Sequence, residues 1–153
     1  MLNSTRSRNE FKAASLFIDT AEELKAFAGG FVLKLGVGDT VLLYGDLGVG
    51  KTTFVRGALQ GLGWAKAVRS PTFNLIQIFD TKPPVMHCDL YRLGGAEGLG
   101  LEEYFSSHLC FVEWPDRLGG LIVASQCYRV ALEFHDAGRR LSVFEPGEPS
   151  LTP

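Results

Sequence analysis

The sequence predicts an α/β fold built on a mostly parallel sheet with antiparallel additions, on three observations. Thr40-Val41-Leu42-Leu43-Tyr44 is a mostly apolar run of strand length, the pattern of a strand buried on both faces of a parallel sheet. A glycine-rich stretch, Gly45 to Gly50, follows at once and leads into a helical segment from Lys51 to about Leu62, stopped by Gly63. Further on, Val85 to Cys88 and Leu109 to Val112 are short apolar strands, each ended by a carboxylate, Asp89 and Glu113. Strands alternating with helices in this way make a layered α/β sheet.

The remaining elements follow in order. Ser15 to Ile18 reads as a short strand. Thr20 has the spacing of a helix N-cap, with Glu23 three residues on completing a capping box. Leu24, Phe27, Ala28, Phe31 and Leu35 then recur at helical intervals and form one buried face. Gly36 to Asp39 is a turn. Asn74 to Phe79 reads as a strand closed by Asp80-Thr81-Lys82-Pro83-Pro84, and Leu101 to Ser107 as a short helix. Tyr128, Val130, Leu132 and Phe134 alternate with Arg129, Ala131 and Glu133, then turn at Asp136-Ala137-Gly138 into Leu141, Val143 and Phe144, a half-exposed hairpin. Residues 1–14 read as a mobile N-terminal segment, 15–144 as a single domain and 145–153 as a C-terminal tail.

Composition excludes several classes. The chain has 153 residues, 46% hydrophobic and 21% charged, close to soluble globular averages and unlike a disordered protein. Its net charge of -2 lacks the basic excess of a protein that coats DNA. No apolar run approaches the roughly 20 residues of a membrane helix. Cys88, Cys110 and Cys127 are odd in number and form no CxxC, so neither a disulfide framework nor a zinc site is indicated. Two of the three lie in apolar runs and read as buried free thiols. With no apolar segment of the secretory kind near the start, the cytoplasm is the expected compartment.

The chemistry concentrates in Gly45-Asp46-Leu47-Gly48-Val49-Gly50-Lys51-Thr52, which matches GxxxxGK[ST] at every required position. Glycines let the loop curl until successive backbone N–H groups face one centre, and the following helix adds the partial positive charge of its N-terminus. Lys51 can place an ammonium on β- and γ-phosphates, and the Thr52 hydroxyl can ligate Mg²⁺. Even in this glycine-rich chain, composition alone predicts only about 0.01 such matches. The loop also stands between a strand and a helix, as the motif requires. A P-loop NTPase-type sandwich binding ATP and Mg²⁺ is therefore expected. GTP is disfavoured, because there is no Asn-Lys-x-Asp element for guanine.

A P-loop hydrolase needs an acid at the end of a neighbouring strand to fix Mg²⁺ or its waters opposite Thr52. Glu113, after four apolar residues, has the better Walker-B-like pattern. Asp89 follows a run interrupted by His87 and is the candidate for orienting water or acting as base; the two roles are open to exchange. Ser70-Pro71-Thr72 is a rigid polar turn placed either as a switch near the γ-phosphate or as an ordinary turn before a strand. Arg56, Arg69, Arg92, Arg117 and Arg139 read by default as solvated surface. His87, His108 and His135 share no metal-ligand spacing, which leaves them core or surface roles. Trp114 stands between stacking on a base or partner and filling the core.

Taken together, the phosphate loop through Thr53, Ser70-Pro71-Thr72-Phe73, His87-Cys88-Asp89-Leu90-Tyr91-Arg92 and Val112-Glu113-Trp114-Pro115 occur in the order and spacing of a known family. From about residue 15 to 144 the chain resembles the TsaE (YjeE) family, the ATPase subunits of the bacterial tRNA threonylcarbamoyladenosine machinery. The resemblance implies that Thr52 and Glu113 bind Mg²⁺, that Ser70 to Thr72 act as a switch and that Asp89 assists hydrolysis. It also implies that Gly138-Arg139 lies near the nucleotide and the Thr20 region near its base. The implied partners are TsaB-like and TsaD-like proteins, whose complex modifies the adenosine beside the anticodon, with tRNA met only through that complex. The ATP cycle would support turnover of the assembly, slowly without partners, rather than perform the transfer. One departure stands out: Gly94 to Gly100 is short and glycine-rich where the family often carries an acidic helix.

Two other readings use the same loop. A P-loop small-molecule kinase needs an acceptor pocket and usually a basic lid, neither visible in the sequence. A nucleotide-dependent switch or scaffold would hydrolyse ATP only incidentally.

Overall fold

The computed structural model describes residues 14–68, 75–93, 96 and 98–149. The Ser70-Pro71-Thr72 turn, Asn74, most of the N-terminal segment, part of the glycine-rich stretch after Arg92 and the last four residues lie outside the described residues. Strand β1 (Ala14–Ile18) leads to Thr20, whose extended backbone and side chain cap helix α1 (Ala21–Phe31). The Thr20 hydroxyl accepts from the Glu23 N–H at 3.1 Å, and the Glu23 carboxylate accepts from the Asp19 N–H at 3.1 Å. The capping box thus closes one residue earlier than its usual register. The α-helix ends at Phe31, short of the periodicity read through Leu35, because Val32–Lys34 tightens into a 3₁₀ turn; Leu35 is buried all the same.

Strand β2 (Thr40–Tyr44), helix α2 (Lys51–Gly61), β3 (Ile76–Phe79), β4 (Val85–Asp89), α3 (Glu102–Ser107), β5 (Leu109–Glu113), β6 (Tyr128–His135) and β7 (Gly138–Phe144) complete the chain. One seven-stranded sheet has the order β1-β7-β6-β2-β5-β4-β3. Its centre, β6, β2, β5 and β4, is parallel; β3 joins β4 and β7 joins β6 antiparallel, and β1 joins β7 antiparallel. This is the mixed α/β architecture that the sequence predicts.

Period-2 alternation sorts the central strands onto two cores. Val41, Leu43, Leu109, Phe111, Val130 and Leu132 face α1 and α2, packing on Leu24, Phe31, Phe54 and Leu59. Leu42, Met86, Cys88, Cys110 and Val112 point the other way, under Leu90, Leu101 and Leu118. The same parity puts His87 and Asp89 of β4, and Glu113 of β5, on the α2 side.

The hairpin is less exposed than its alternation suggests. Arg129, Val130, Ala131 and Leu132 are all buried, because β6 lies inside the sheet between β7 and β2. Arg129 is covered by the chain after β7, where its guanidinium Nη2 donates to the carbonyls of Glu145 (3.1 Å) and Glu148 (2.5 Å). Among the described residues, no helix is long and apolar enough to cross a membrane.

All three cysteines are free and buried. Burial above all pushes the Cys88 and Cys110 thiols up to about 12 and Cys127 to about 11. The native protein should therefore react slowly with a disulfide reagent at pH 8, and all three thiols should react promptly once it is unfolded in guanidinium. The linked stability is fully present below the unfolded thiol value of about 8.5 and is lost as pH rises toward the folded values, so midpoint stability should fall from pH 8 to pH 10.5.

Candidate phosphate and metal site

Four parallel strands bring the ends of β2, β5 and β4 to one edge of the sheet, where α/β folds bind ligands. Tyr44 opens there into the glycine loop. The loop approaches β6 so closely that a Cβ on Gly45 would stand 2.6 Å from the Leu132 carbonyl oxygen and 2.7 Å from Val49 Cγ1. At its far end Gly50 has φ 123° and caps α2 with no side chain, a backbone conformation that L side chains rarely adopt.

The first intrahelical bond of α2 runs from the Phe54 N–H to the Gly50 carbonyl at 2.9 Å. The N–H groups of Lys51, Thr52 and Thr53 consequently have no acceptor within the helix, and they sit at its electropositive end. A cavity of about 230 Å³ opens in front of them, lined by Leu47, Gly48, Gly50, Lys51, Thr52, Thr53, Asp89, Glu113 and Trp114. That volume is below the roughly 300–1,000 Å³ usual for a whole small-molecule ligand, and suits a phosphate tail.

Lys51 is only 5% exposed. Its Nζ donates to the Gly45 carbonyl at 2.5 Å and lies 3.8 Å from the centre of the Trp114 ring. Burial lowers the ammonium from its usual range, while the carboxylates of Glu113, Asp89 and Asp46 act to raise it. Trp114 itself has φ 58° and ψ 55° before Pro115, left-handed for a bulky residue, and also packs on Tyr91 with ring centres 4.9 Å apart. Neither role read for Trp114 from sequence included this contact with the lysine.

Thr52 and Glu113 meet directly. The Thr52 hydroxyl donates to Glu113 Oε2 at 3.1 Å and lies 3.3 Å from Oε1. Asp89 stands beside Glu113 in the parallel β4–β5 register and is half-buried, its Oδ1 accepting from the Tyr91 N–H at 3.0 Å. Burial raises the Asp89 carboxyl above its usual range, with Glu113 adding to the effect; the Tyr91 N–H, His87 and Lys51 oppose it. Among the described residues no group of three or more His, Cys, Asp and Glu side chains could hold a metal ion by itself. A hydroxyl and a buried carboxylate lining an open cavity fit Mg²⁺, which keeps waters and leans on phosphate oxygens rather than on an all-protein cage.

The structure thus gathers Lys51, Thr52, Asp89, Glu113 and the glycine loop on one cavity. Arg139 reaches the same loop from β7, its Nε donating to the Val49 carbonyl at 2.6 Å. Gly138 and Arg139 line a second cavity together with Asp19, next to Thr20, but the Thr20 side chain is committed to its helix cap. Sequence reasoning left His87 a core or surface role and did not foresee its contact with Glu113. It is fully buried, and its Nε2 stands 2.6 Å from Glu113 Oε2. The signal was present in its parity with Asp89, two residues on along the same strand.

Known proteins resemble this chain in sequence and fold. The family profile described as threonylcarbamoyl adenosine biosynthesis protein TsaE matches residues 18–141. The tRNA threonylcarbamoyladenosine biosynthesis protein TsaE of Rickettsia bellii is 40% identical over 129 residues, 81% of this chain and 89% of that one. The protein of the same name from Bacillus subtilis is 46% identical over 96 residues, 61% of each chain. The crystal structure of Bacillus subtilis YdiB superposes with a TM-score of 0.77 at 32% identity, covering 89% of this chain and 87% of the other. On a family match that spans most of its length, this chain belongs to the TsaE family.

Proposed function

We propose that this chain is a Mg²⁺-dependent ATP-binding and hydrolysing protein that supports tRNA threonylcarbamoyladenosine modification by TsaB-like and TsaD-like partners. The observation that carries the reading is the pairing of Thr52 with Glu113 at the mouth of a complete phosphate loop. The names of the relatives supply the pathway.

In this reading the loop N–H groups and Lys51 hold the β- and γ-phosphates, and Thr52 and Glu113 hold the metal or its waters. When bound, Mg²⁺ neutralises charge on the phosphate oxygens. Asp89, raised by burial and set beside Glu113, orients the attacking water. Arg139 braces the loop through the Val49 carbonyl, and Gly138 beside it lines the neighbouring cavity in which the nucleoside would lie. Stabilisation of the developing charge comes from the lysine, the backbone and the metal. Arg56 and Arg117 donate to the backbone carbonyls of Val68 and Leu93.

Titration calorimetry with ATP at saturating Mg²⁺ should give one site per chain, and Glu113→Gln should abolish most of the Mg²⁺-dependent gain while leaving the fold intact by circular dichroism. A wild-type titration without heat, repeated by equilibrium dialysis with the same result, would remove the reading. Capture of TsaB-like and TsaD-like proteins in the presence of ATP and Mg²⁺ tests the partner half separately.

A further inference from the structure

We infer that His87 is a positioning residue for the metal site: in its Nε2–H tautomer it holds the Glu113 carboxylate in the rotamer that faces Thr52. The inference rests on the proposed metal role of Glu113 and extends it to a histidine that no comparison assigns.

His87 is 0% exposed and Glu113 3%, so their 2.6 Å contact is shielded from water. A carboxylate is an acceptor only, which puts the shared proton on Nε2. Nδ1 is buried and has no hydrogen-bond partner. A histidine kept only to fill the core gains nothing from that orphan, since an apolar side chain of similar volume would avoid its desolvation cost. The retained polar atom that does have a partner points at Glu113.

The geometry explains what the contact does. Glu113 Oε2 receives both His87 Nε2–H and the Thr52 hydroxyl, whereas Oε1 has only the longer 3.3 Å approach of Thr52. Two donors on one oxygen lock the carboxylate plane and leave lone pairs of the other oxygen for a metal-bound water. Without His87 the carboxylate keeps a single orienting donor, the Thr52 hydroxyl. Across the antiparallel β3–β4 pair, Gln77 stands opposite His87 and carries another buried orphan, Oε1. Its amide, turned through 180°, would present N–H₂ to that side of the strand pair.

Partners behind a ligating group of this kind typically matter by about 10–100-fold in metal affinity or activity. The wild-type protein, His87→Phe (ring volume, no donor), His87→Asn (a donor that stops short) and His87→Gln (a donor near the Nε2 position) are to be compared in two binding measurements. ATP affinity in EDTA should stay within about twofold in all four, because the loop and Lys51 are untouched. The Mg²⁺ concentration that half-maximally enhances ATP binding should rise about tenfold in Phe and Asn and recover to within about threefold in Gln. On wild-type protein, long-range ¹H–¹⁵N spectra should show His87 protonated at Nε2 alone.

Equal Mg²⁺ dependence in all variants, or equal loss in Phe, Asn and Gln, would reduce His87 to a core residue. So would an Nδ1–H tautomer in the wild-type spectrum, which needs no variant to fold. Failure of wild-type protein to bind ATP at all would instead remove the nucleotide reading itself, and the tautomer measurement would still report on the His87–Glu113 contact.

Discussion

Lys51→Ala is expected to lower the rate of ATP hydrolysis about 10²–10³-fold, equivalent to ~3–4 kcal/mol of lost transition-state stabilisation. The side chain is the one cation that the described structure places on the cavity before α2, and it is held there by the Gly45 carbonyl and the Trp114 ring. Its burial makes the charge costly to keep in the folded state, as the lowered affinity for its own proton records. Removing it should therefore leave thermal stability nearly unchanged or slightly higher while activity collapses. That opposite movement separates a functional lysine from a structural one. Steady-state phosphate release and a melting curve on the same preparation read both. Hydrolysis within threefold of wild type would contradict the assignment of Lys51.

Gly57→Ala is expected to lower Tm by roughly 4–8 °C, a net loss of ~2 kcal/mol. The added Cβ would stand 2.4 Å from Lys25 Cα, 2.5 Å from its carbonyl oxygen and 2.8 Å from its carbonyl carbon. These are backbone atoms of α1, so no rotamer change relieves the overlap and the helices must separate. Overpacking of this kind costs ~3 kcal/mol, against which alanine regains ~1 kcal/mol in helix propensity. Gly30→Ala is the control: its Cβ would meet nothing within 4 Å, so it should raise stability by up to ~1 kcal/mol. The same change in two helices then moves Tm in opposite directions. A displaced α1 also carries Leu24, which would touch a Cβ built on Gly50 at 2.9 Å, so Gly57→Ala should weaken nucleotide binding as well as stability. Equal melting shifts for the two variants would show that helix propensity, and not helix contact, governs both.

Much of the fold was legible without coordinates. The run Thr40 to Tyr44, the helix after Lys51, the Thr20 cap and the strands before Asp89 and Glu113 depend on neighbours within a few residues, and the structure forms each of them. Arg129 shows where pattern reading stops. Its alternation with apolar neighbours suggests a solvent face, yet it is buried, because exposure is decided by what lies across the sheet and by the return of residues 145–148. His87 shows the converse. It reads as an interruption in an apolar strand, whereas its side chain meets a glutamate 26 residues away that only the β4–β5 pairing brings into reach.

By itself the amino-acid sequence determined the α/β class, the glycine-rich loop with Lys51 and Thr52 at its helix start, and the two strand-end acids. Those features are local: glycine backbone freedom, capping chemistry and apolar periodicity act within a turn or a strand. Only the tertiary structure decided the strand order, the contact of Thr52 with a glutamate 61 residues on, and the grip of Arg139 on a loop 90 residues before it. Such contacts form where burial of both faces of the sheet closes long chain loops, and that closure is set by the whole core rather than by any short segment.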